Sequence, residues 1–379
     1  MAGKLKVMTV VGTRPEIIRL SRIIAAFEKH TEHVLVHTGQ NYDYELNQVF
    51  FEDLGLRHPD HLLDVETSSL GATLAGVLRG TERVLLEETP DAMVVLGDTN
   101  SCISALIARR MSIPVYHLEA GNRSFDPNVP EEINRHLVDH VADYNLVYTE
   151  HSRRNLLAEG IRPSNIIVTG SPMREVLDHY GHRIEKSDIL SRLDLVKGEY
   201  IVASIHREEN VDNFSRLEAL VNSLKALTSE YGVPVFVSTH PRTRKRLDAA
   251  KFQVPETIIF HNPLGFSDYV RLQKDALCVV SDSGTISEES TILGFPAVTL
   301  RDAIERPEAV DVGGIVLSGT EPNDVVDAVS LVLSQYADRG RPSIPTDYQV
   351  SDSARRVVSF LRSTASTHAL RAGIRQKSM

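Results

Sequence analysis

The 379-residue sequence predicts an α/β protein made of two Rossmann-like, doubly wound parallel sheets in tandem. Three observations lead to that class. Short β-branched runs alternate with longer amphipathic stretches, and such βα repetition winds into an open parallel sheet. The runs are apolar throughout instead of alternating, as strands covered on both faces are. The pattern then stops in a polar helical stretch around Arg174–Leu195 and starts again.

Taken in order, KVMTVV, HVLVHTG, AMVVLGD, VYHLEAG, YNLVYT and IIVTG read as the strands of the first sheet. Segments such as IIRLSRIIAAFEKH, with apolar residues three and four apart, supply the helices between them. YIVASIH, VPVFVSTH, TIIFHN, ALCVVSD and FPAVTL form the second set. The expected domains are residues 1–172 and 173–379, the boundary falling within Ser171–Glu199. The last helix, near Asp352–Arg362, is a candidate to pack back on the first domain. The tail THALRAGIRQKSM is polar and basic and is expected to be mobile.

Composition narrows the function. With 42% hydrophobic and 24% charged residues, the chain has the balance of a soluble globular protein. A formal charge of −10 argues against nucleic-acid or anionic-membrane partners, which favour a basic footprint. No apolar run approaches the ~18 residues of a membrane span, and MAGKLKVMTVVG leads straight into a strand, so a cytoplasmic protein is expected. Cys102 and Cys278 lack metal-ligand spacing and read as buried free thiols. No metal site is expected.

Open sheets bind ligands beyond the carboxyl ends of their strands. The first strand ends in Gly12-Thr13-Arg14-Pro15-Glu16, where Gly12 permits a tight turn and Pro15 suits a first helical turn. An anion can dock there with Arg14 as counter-charge; alternatively, the turn is only a βα connection with Arg14 in water. In the second half, Ser281-Asp282-Ser283-Gly284-Thr285 again carries a strand into a helix. Ser283, Gly284 and Thr285 offer donors for phosphate and Glu289 an acceptor for ribose hydroxyls, although Ser/Thr caps with acidic first turns are common. No strand is followed by G-x-G-x-x-G, and there is no P-loop, so neither NAD nor ordinary NTP chemistry is expected.

Acid–base groups collect at other strand ends. Asp98 closes AMVVLGD, Glu119 closes VYHLEAG, Glu131 opens a helix soon after, and His206 closes YIVASIH. Singly, each reads as a helix cap or a satisfied core residue. Together they place three carboxylates at one ligand edge and an imidazole at the other, a set suited to proton transfer near neutrality.

In this order G-T-R-P-E, G-D-T, H-L-E-A-G, V-P-E-E-I-N-R, S-D-S-G-x-x-x-E-E and R-D-x-x-E-R-P-E resemble the non-hydrolysing UDP-N-acetylglucosamine 2-epimerase family, from Gly12 to Glu308. The resemblance implies a GT-B-like pair of domains with the active site between them, a homodimer, a UDP-sugar substrate and no cofactor. It implies that Asp98, Glu119, Glu131 and His206 are catalytic. It also implies that Arg14, Ser283, Gly284 and Glu289 hold the UDP, with a further binding role for Arg301, Glu305 and Arg306.

Three departures stand out. Arg19 replaces the family's usual lysine and Thr285 a second glycine, and both are counted with the expected UDP-binding residues. Asn122-Arg123-Ser124-Phe125-Asp126 follows Glu119-Ala120-Gly121 where many members have Gly-Leu-Arg. With His37-Thr38-Gly39-Gln40-Asn41-Tyr42-Asp43 and Ser204-Ile205-His206-Arg207-Glu208-Glu209-Asn210, that segment looks most like a capsule and O-antigen branch. The branch converts UDP-2-acetamido-2,6-dideoxy-L-talose to UDP-N-acetyl-L-fucosamine. A hydrolysing epimerase, a GT-B-type glycosyltransferase and a silent UDP-sugar sensor are the alternatives, separable by their products.

Overall fold

The computed structural model describes residues 4–39 and 51–374. The first sheet comprises β1 (Lys6–Val11), β2 (Glu32–His37), β3 (His61–Leu62), β4 (Ala92–Leu96), β5 (Val115–Leu118), β6 (Tyr144–Val147) and β7 (Ile166–Val168). All pairings are parallel, in the order β3-β2-β1-β4-β5-β6-β7. The second sheet comprises β8 (Ile201–Ile205), β9 (Val235–Thr239), β10 (Ile258–His261), β11 (Cys278–Ser281), β12 (Ala297–Thr299) and β13 (Val316–Leu317). It is also parallel, in the order β10-β9-β8-β11-β12-β13. Each half therefore has the strand sequence of a doubly wound fold, with its direction of winding reversing beside its first strand.

Every expected strand is present; KVMTVV is matched in full, and the others are shorter at their polar ends, because segments such as HTG, GD, EAG and TG are the turns that follow. The structure adds β3 and β13, edge strands of two residues each. Such short pieces carry no apolar run to read.

The apolar runs are buried as parallel strands require. Met8, Val10, Val36, Met93 and Val95 pack under the Leu70–Glu88 helix with Val84 and Leu85. Ile201, Ala203, Val235, Val237, Val280 and Val298 form the equivalent core of the second sheet. Cys102 and Cys278 are free and buried, and burial pushes the Cys278 thiol up to about 12.

The chain divides into two compact units. The first comprises Met1–Arg123, Pro130–His179 and Gln349–Met379, and the second Ser124–Val129 with Tyr180–Tyr348. The first thus continues past residue 172 to His179, within the Met173–Lys186 helix. The Ser353–Thr364 helix belongs to the first unit and packs against the Arg14–His30 helix. Its Phe360 meets Tyr116 and Tyr144 edge-on, and the Tyr116 hydroxyl lies 2.7 Å from Thr364 Oγ1.

The expected mobile tail is corrected in part. His368–Arg371 is helical, and His368 is buried against Tyr144 with Nε2 3.4 Å from Asp143 Oδ1. An aromatic imidazole among polar residues marked a docked end that composition alone did not reveal. Residues 375–379 lie outside the described residues.

Leu361 is fully buried in the Ser353–Thr364 helix. Leu361→Ala should cost ~2–5 kcal/mol in urea-induced unfolding. A loss under ~1 kcal/mol would show that this helix is not part of the first core.

Candidate active site

Because β1 pairs with β4, the turns that leave them are neighbours at the first switch point. Thr13 is the N-cap of the Arg14–His30 helix, with Pro15 in its first turn, and Arg14 is its first residue, half-buried. The Thr13 hydroxyl and Gly12 N–H both donate to Glu16 Oε2, at 2.7 and 3.1 Å. Asp98 leaves β4 and receives Arg135 Nε and Nη2 on one oxygen, at 2.8 and 2.6 Å. Its backbone carbonyl accepts from Asn134 Nδ2 at 2.8 Å. Both partners lie on the helix Glu131–Val141, which Glu131 opens, so Asp98 and Glu131 are tied to one rigid element.

Glu119 leaves β5 with φ +64°, a left-handed backbone that a non-glycine residue adopts at a cost of ~1 kcal/mol or more. Gly121 follows at φ +78°, and a Cβ there would sit 2.4 Å from the Ser152 carbonyl oxygen, so only glycine fits. Asp139, fully buried, holds this turn in place. It accepts from Gly121 N–H at 3.1 Å, lies 2.8 Å from His117 Nδ1 and pairs with Arg123 Nη1 at 2.8 Å. Burial works against its charge, but His117 and Arg123 outweigh that and hold the carboxyl below its ordinary range. His117 Nε2 reaches Gly97 O at 2.8 Å, linking the Glu119 turn to the Asp98 turn.

The Glu119 carboxylate meets Arg19 Nη1 at 3.5 Å and the Asn122 amide at 3.3 Å. Arg19 is buried, its guanidinium 5.7 Å from the Tyr148 ring centre. Arg19 thus meets Glu119 with a planar fork where a lysine would present a point charge.

In the second unit β8 pairs with β11, which brings the turns of His206 and Ser283 together. Asp282, fully buried, collects them. It receives the backbone N–H groups of His206 (3.1 Å) and Arg207 (3.0 Å) and the Asn210 amide (3.1 Å), and lies 3.1 Å from His206 Nδ1. Burial opposes its ionisation, yet His206 and these donors hold it down at about 2. The His206 side chain is 41% exposed, so with Nδ1 on Asp282 its Nε2 is the ring nitrogen left for chemistry.

Ser283 and Thr285 place their hydroxyls 3.0 Å apart at the start of the Ile286–Leu293 helix. Between them, a Cβ on Gly284 would meet Arg306 Nη1 at 2.7 Å and Arg207 Nη2 at 3.4 Å, so two guanidinium groups crowd this turn. Arg306 donates to Gly284 O at 2.5 Å. Arg301 forms a buried two-pronged pair with Glu305, at 2.6 and 2.7 Å, and Glu305 also meets Arg207 at 3.3 Å. Arg301 thereby fixes Glu305 beside this turn. Glu289 is buried and accepts from Gln273 Nε2 at 2.8 Å.

Glu16, Asp139, Asp282, His117 and Arg135 were not singled out by the sequence reading. Four of them, all but Asp139, sit inside the quoted motifs, Glu16 three residues after its N-cap in the position of a capping box. Of the expected motif His37–Asp43, the part Gln40–Asp43 lies outside the described residues.

Carboxylates pinned at one switch point, and an aspartate-backed histidine beside a hydroxyl- and arginine-rich turn at another, are the equipment of a nucleotide-sugar enzyme. The chain belongs to the UDP-N-acetylglucosamine 2-epimerase family, whose sequence model matches residues 25–362. It is thereby an isomerase of the UDP-sugar 2-epimerase class. A UDP-N-acetylglucosamine 2-epimerase structure from Rickettsia bellii is 44% identical, with a TM-score of 0.90 over 97% of this chain and 98% of that one. The Methanocaldococcus jannaschii UDP-GlcNAc 2-epimerase, solved in complex with UDP-GlcNAc and UDP, is 37% identical. Its TM-score is 0.89, covering 95% of this chain and 100% of that one. A Pseudomonas aeruginosa UDP-2,3-diacetamido-2,3-dideoxy-D-glucuronate 2-epimerase is 33% identical over 87% of this chain and 93% of its own.

Asp282→Asn should leave UDP binding nearly intact and lower turnover by about 10²-fold or more, since the imidazole loses its anionic anchor. Because the Asp282 carboxyl is depressed to about 2, its stabilising contribution is present above the ordinary carboxyl range and lost as pH falls through 2. Acid unfolding of the variant should accordingly be shallower there. Equal turnover in variant and wild type would remove His206 from the mechanism.

Proposed function

We propose that the chain inverts carbon 2 of a UDP-linked N-acetylhexosamine by eliminating UDP to a glycal and adding it back. Carbon 2 has no adjacent carbonyl, so removing its proton alone would leave an unstabilised carbanion. Loss of UDP from carbon 1 as that proton leaves turns the electron pair into an alkene. Reprotonation on the opposite face and return of UDP to carbon 1 complete the inversion, with no water consumed.

In this reading Asp98, Glu119 and Glu131 transfer the protons and His206 Nε2 serves the departing diphosphate. Arg14 holds the diphosphate with the Ser283-Gly284-Thr285 turn. Glu289 reads the ribose. Arg19 keeps Glu119 in place. The observation that carries the reading is Glu119: a carboxylate kept on a left-handed backbone at φ +64° by a buried network. Strain of that kind persists only where surrounding structure over-determines it, and it concentrates at functional sites.

The reading extends to the sugar and its setting. Asn122 donates to Glu119, and the resemblance of the segment Asn122–Asp126 to the capsule and O-antigen branch supports a 6-deoxy-hexosamine. We assign the chain to UDP-2-acetamido-2,6-dideoxy-L-talose and UDP-N-acetyl-L-fucosamine, precursors of capsule or O-antigen polysaccharide. The enzyme works as a cytoplasmic homodimer, the state expected of the family. No helix among the described residues is long and apolar enough to cross a membrane.

Turnover in deuterated water should place deuterium at carbon 2 of the product, read by NMR over a panel of UDP-GlcNAc, UDP-ManNAc and UDP-6-deoxy-L-hexosamines. Unlabelled product would sink the mechanism, and free sugar in place of UDP-sugar would make the enzyme hydrolytic. Asp98→Asn should bind UDP but lose ~10²-fold or more in kcat; a near-normal rate would remove Asp98 from the proton path.

A further inference from the structure

Glu16 is a buried ionisable group at the first switch point that this scheme leaves without a task. It is 1% exposed. Its partners are all neutral: Gly12 N–H and the Thr13 hydroxyl on Oε2, and the Ser101 hydroxyl on Oε1. The Ser101 oxygen lies 2.7 Å from Thr99 Oγ1. The carboxyl therefore sits beneath two turns at once, Gly12–Arg14 and the loop that carries Asp98.

That position sets two anions against each other. A diphosphate at the Gly12–Arg14 turn approaches a carboxylate that already uses the amide and hydroxyl of the same turn. Like charges close together in a buried site favour the neutral form of the weaker acid. Burial, only partly offset by the Ser101, Thr13 and Gly12 donors, already raises the Glu16 carboxyl to about 7. The group stands near its midpoint at neutral pH before any ligand arrives.

The other groups around it do not compete for the proton. Thr13, Thr99 and Ser101 are hydroxyls, and Arg19 of the same helix is turned to Glu119. Burial, with the nearby charges of Asp98 and Glu16, holds the Cys102 proton well above its ordinary range. Asp98 is held by Arg135, and Arg14 offers the incoming phosphate its positive charge.

We propose that Glu16 makes UDP binding proton-linked: as the diphosphate docks at the Gly12–Arg14 turn, those Glu16 carboxyls that are still ionised are protonated from the buffer. The proposal rests on the reading of that turn as a diphosphate site. One O–H bond forms on the carboxyl, the proton comes from bulk solvent, and it returns there when UDP leaves. Glu16 thus tunes affinity to pH without touching the reacting carbons.

Calorimetric titration of UDP into the full-length protein at pH 7.5, in phosphate and in Tris, measures the protons taken up per UDP bound. UDP contributes its own phosphate titration equally to every variant, so the difference from Glu16→Gln isolates this carboxyl. A further rise of about one unit on binding corresponds to roughly half a proton more for wild type than for the variant. Wild-type affinity should also fall from pH 7 to 9 more steeply than that of Glu16→Gln. Equal proton uptake in the two proteins overturns the proposal. Should Glu16→Gln fail to fold, Ser101→Ala removes a donor to the anion and should move maximal uptake to higher pH; an unmoved maximum has the same force. Wild-type protein that binds no UDP in either buffer overturns the functional reading itself, a result distinct from equal uptake.

Discussion

The buried carboxylates of Asp139 and Asp282 are what the rest of this site depends on. Asp139 takes the Gly121 N–H and Asp282 those of His206 and Arg207, in each case from a turn that leaves a strand, and each aspartate lies beside a histidine. Burying a charge is expensive unless it is paired and hydrogen-bonded, and removing one partner of such a pair typically costs ~3–5 kcal/mol. Both aspartates have enough donors to remain ionised. The consequence is rigidity where it is useful: the Glu119 turn cannot relax out of its left-handed backbone while Gly121 N–H and Arg123 stay on Asp139, and His206 cannot rotate freely while its ring and backbone share Asp282.

The two halves reach this arrangement by the same topology. In both, the first strand lies beside the fourth, so two loops distant in sequence open side by side. The first half fills that position with carboxylates and the second with hydroxyls, guanidinium groups and an imidazole. In the proposed reading the carboxylates that transfer protons all belong to the first of these sheets. Each half carries the parallel sheet that a GT-B-like architecture requires.

Much of this was legible in the amino-acid order because fully buried parallel strands appear as continuous apolar runs, and polar residues at their ends fall at the ligand edge. Asp98, Glu119 and His206 could be found that way. Asp282 could not be assigned a role, since the backbone it anchors lies 76 residues away. Asp139 reads as an ordinary helix residue, because its partner Gly121 is 18 residues distant and on another element. Arg19 and Arg301 are expected from the sequence to meet phosphate, and in the structure each lies against a carboxylate, Glu119 and Glu305. A guanidinium is equally suited to phosphate and carboxylate, so only geometry distinguishes the two uses. Two-residue edge strands such as β3 and β13 carry no periodicity at all.

The Ser353–Thr364 helix has a bearing on how the protein is made. All seven strands of the first sheet are complete by Val168, yet the helix that covers Tyr116 and Tyr144 is among the last segments to be synthesised. At ordinary elongation rates the ribosome needs roughly ten to forty seconds to cross that gap. During that interval the second unit's main segment, Tyr180–Tyr348, emerges whole, whereas the earlier sheet waits with an aromatic face uncovered. Birth order and completion order are thus reversed, and the nascent chain has a window in which a chaperone, or the wrong neighbour, can reach that face.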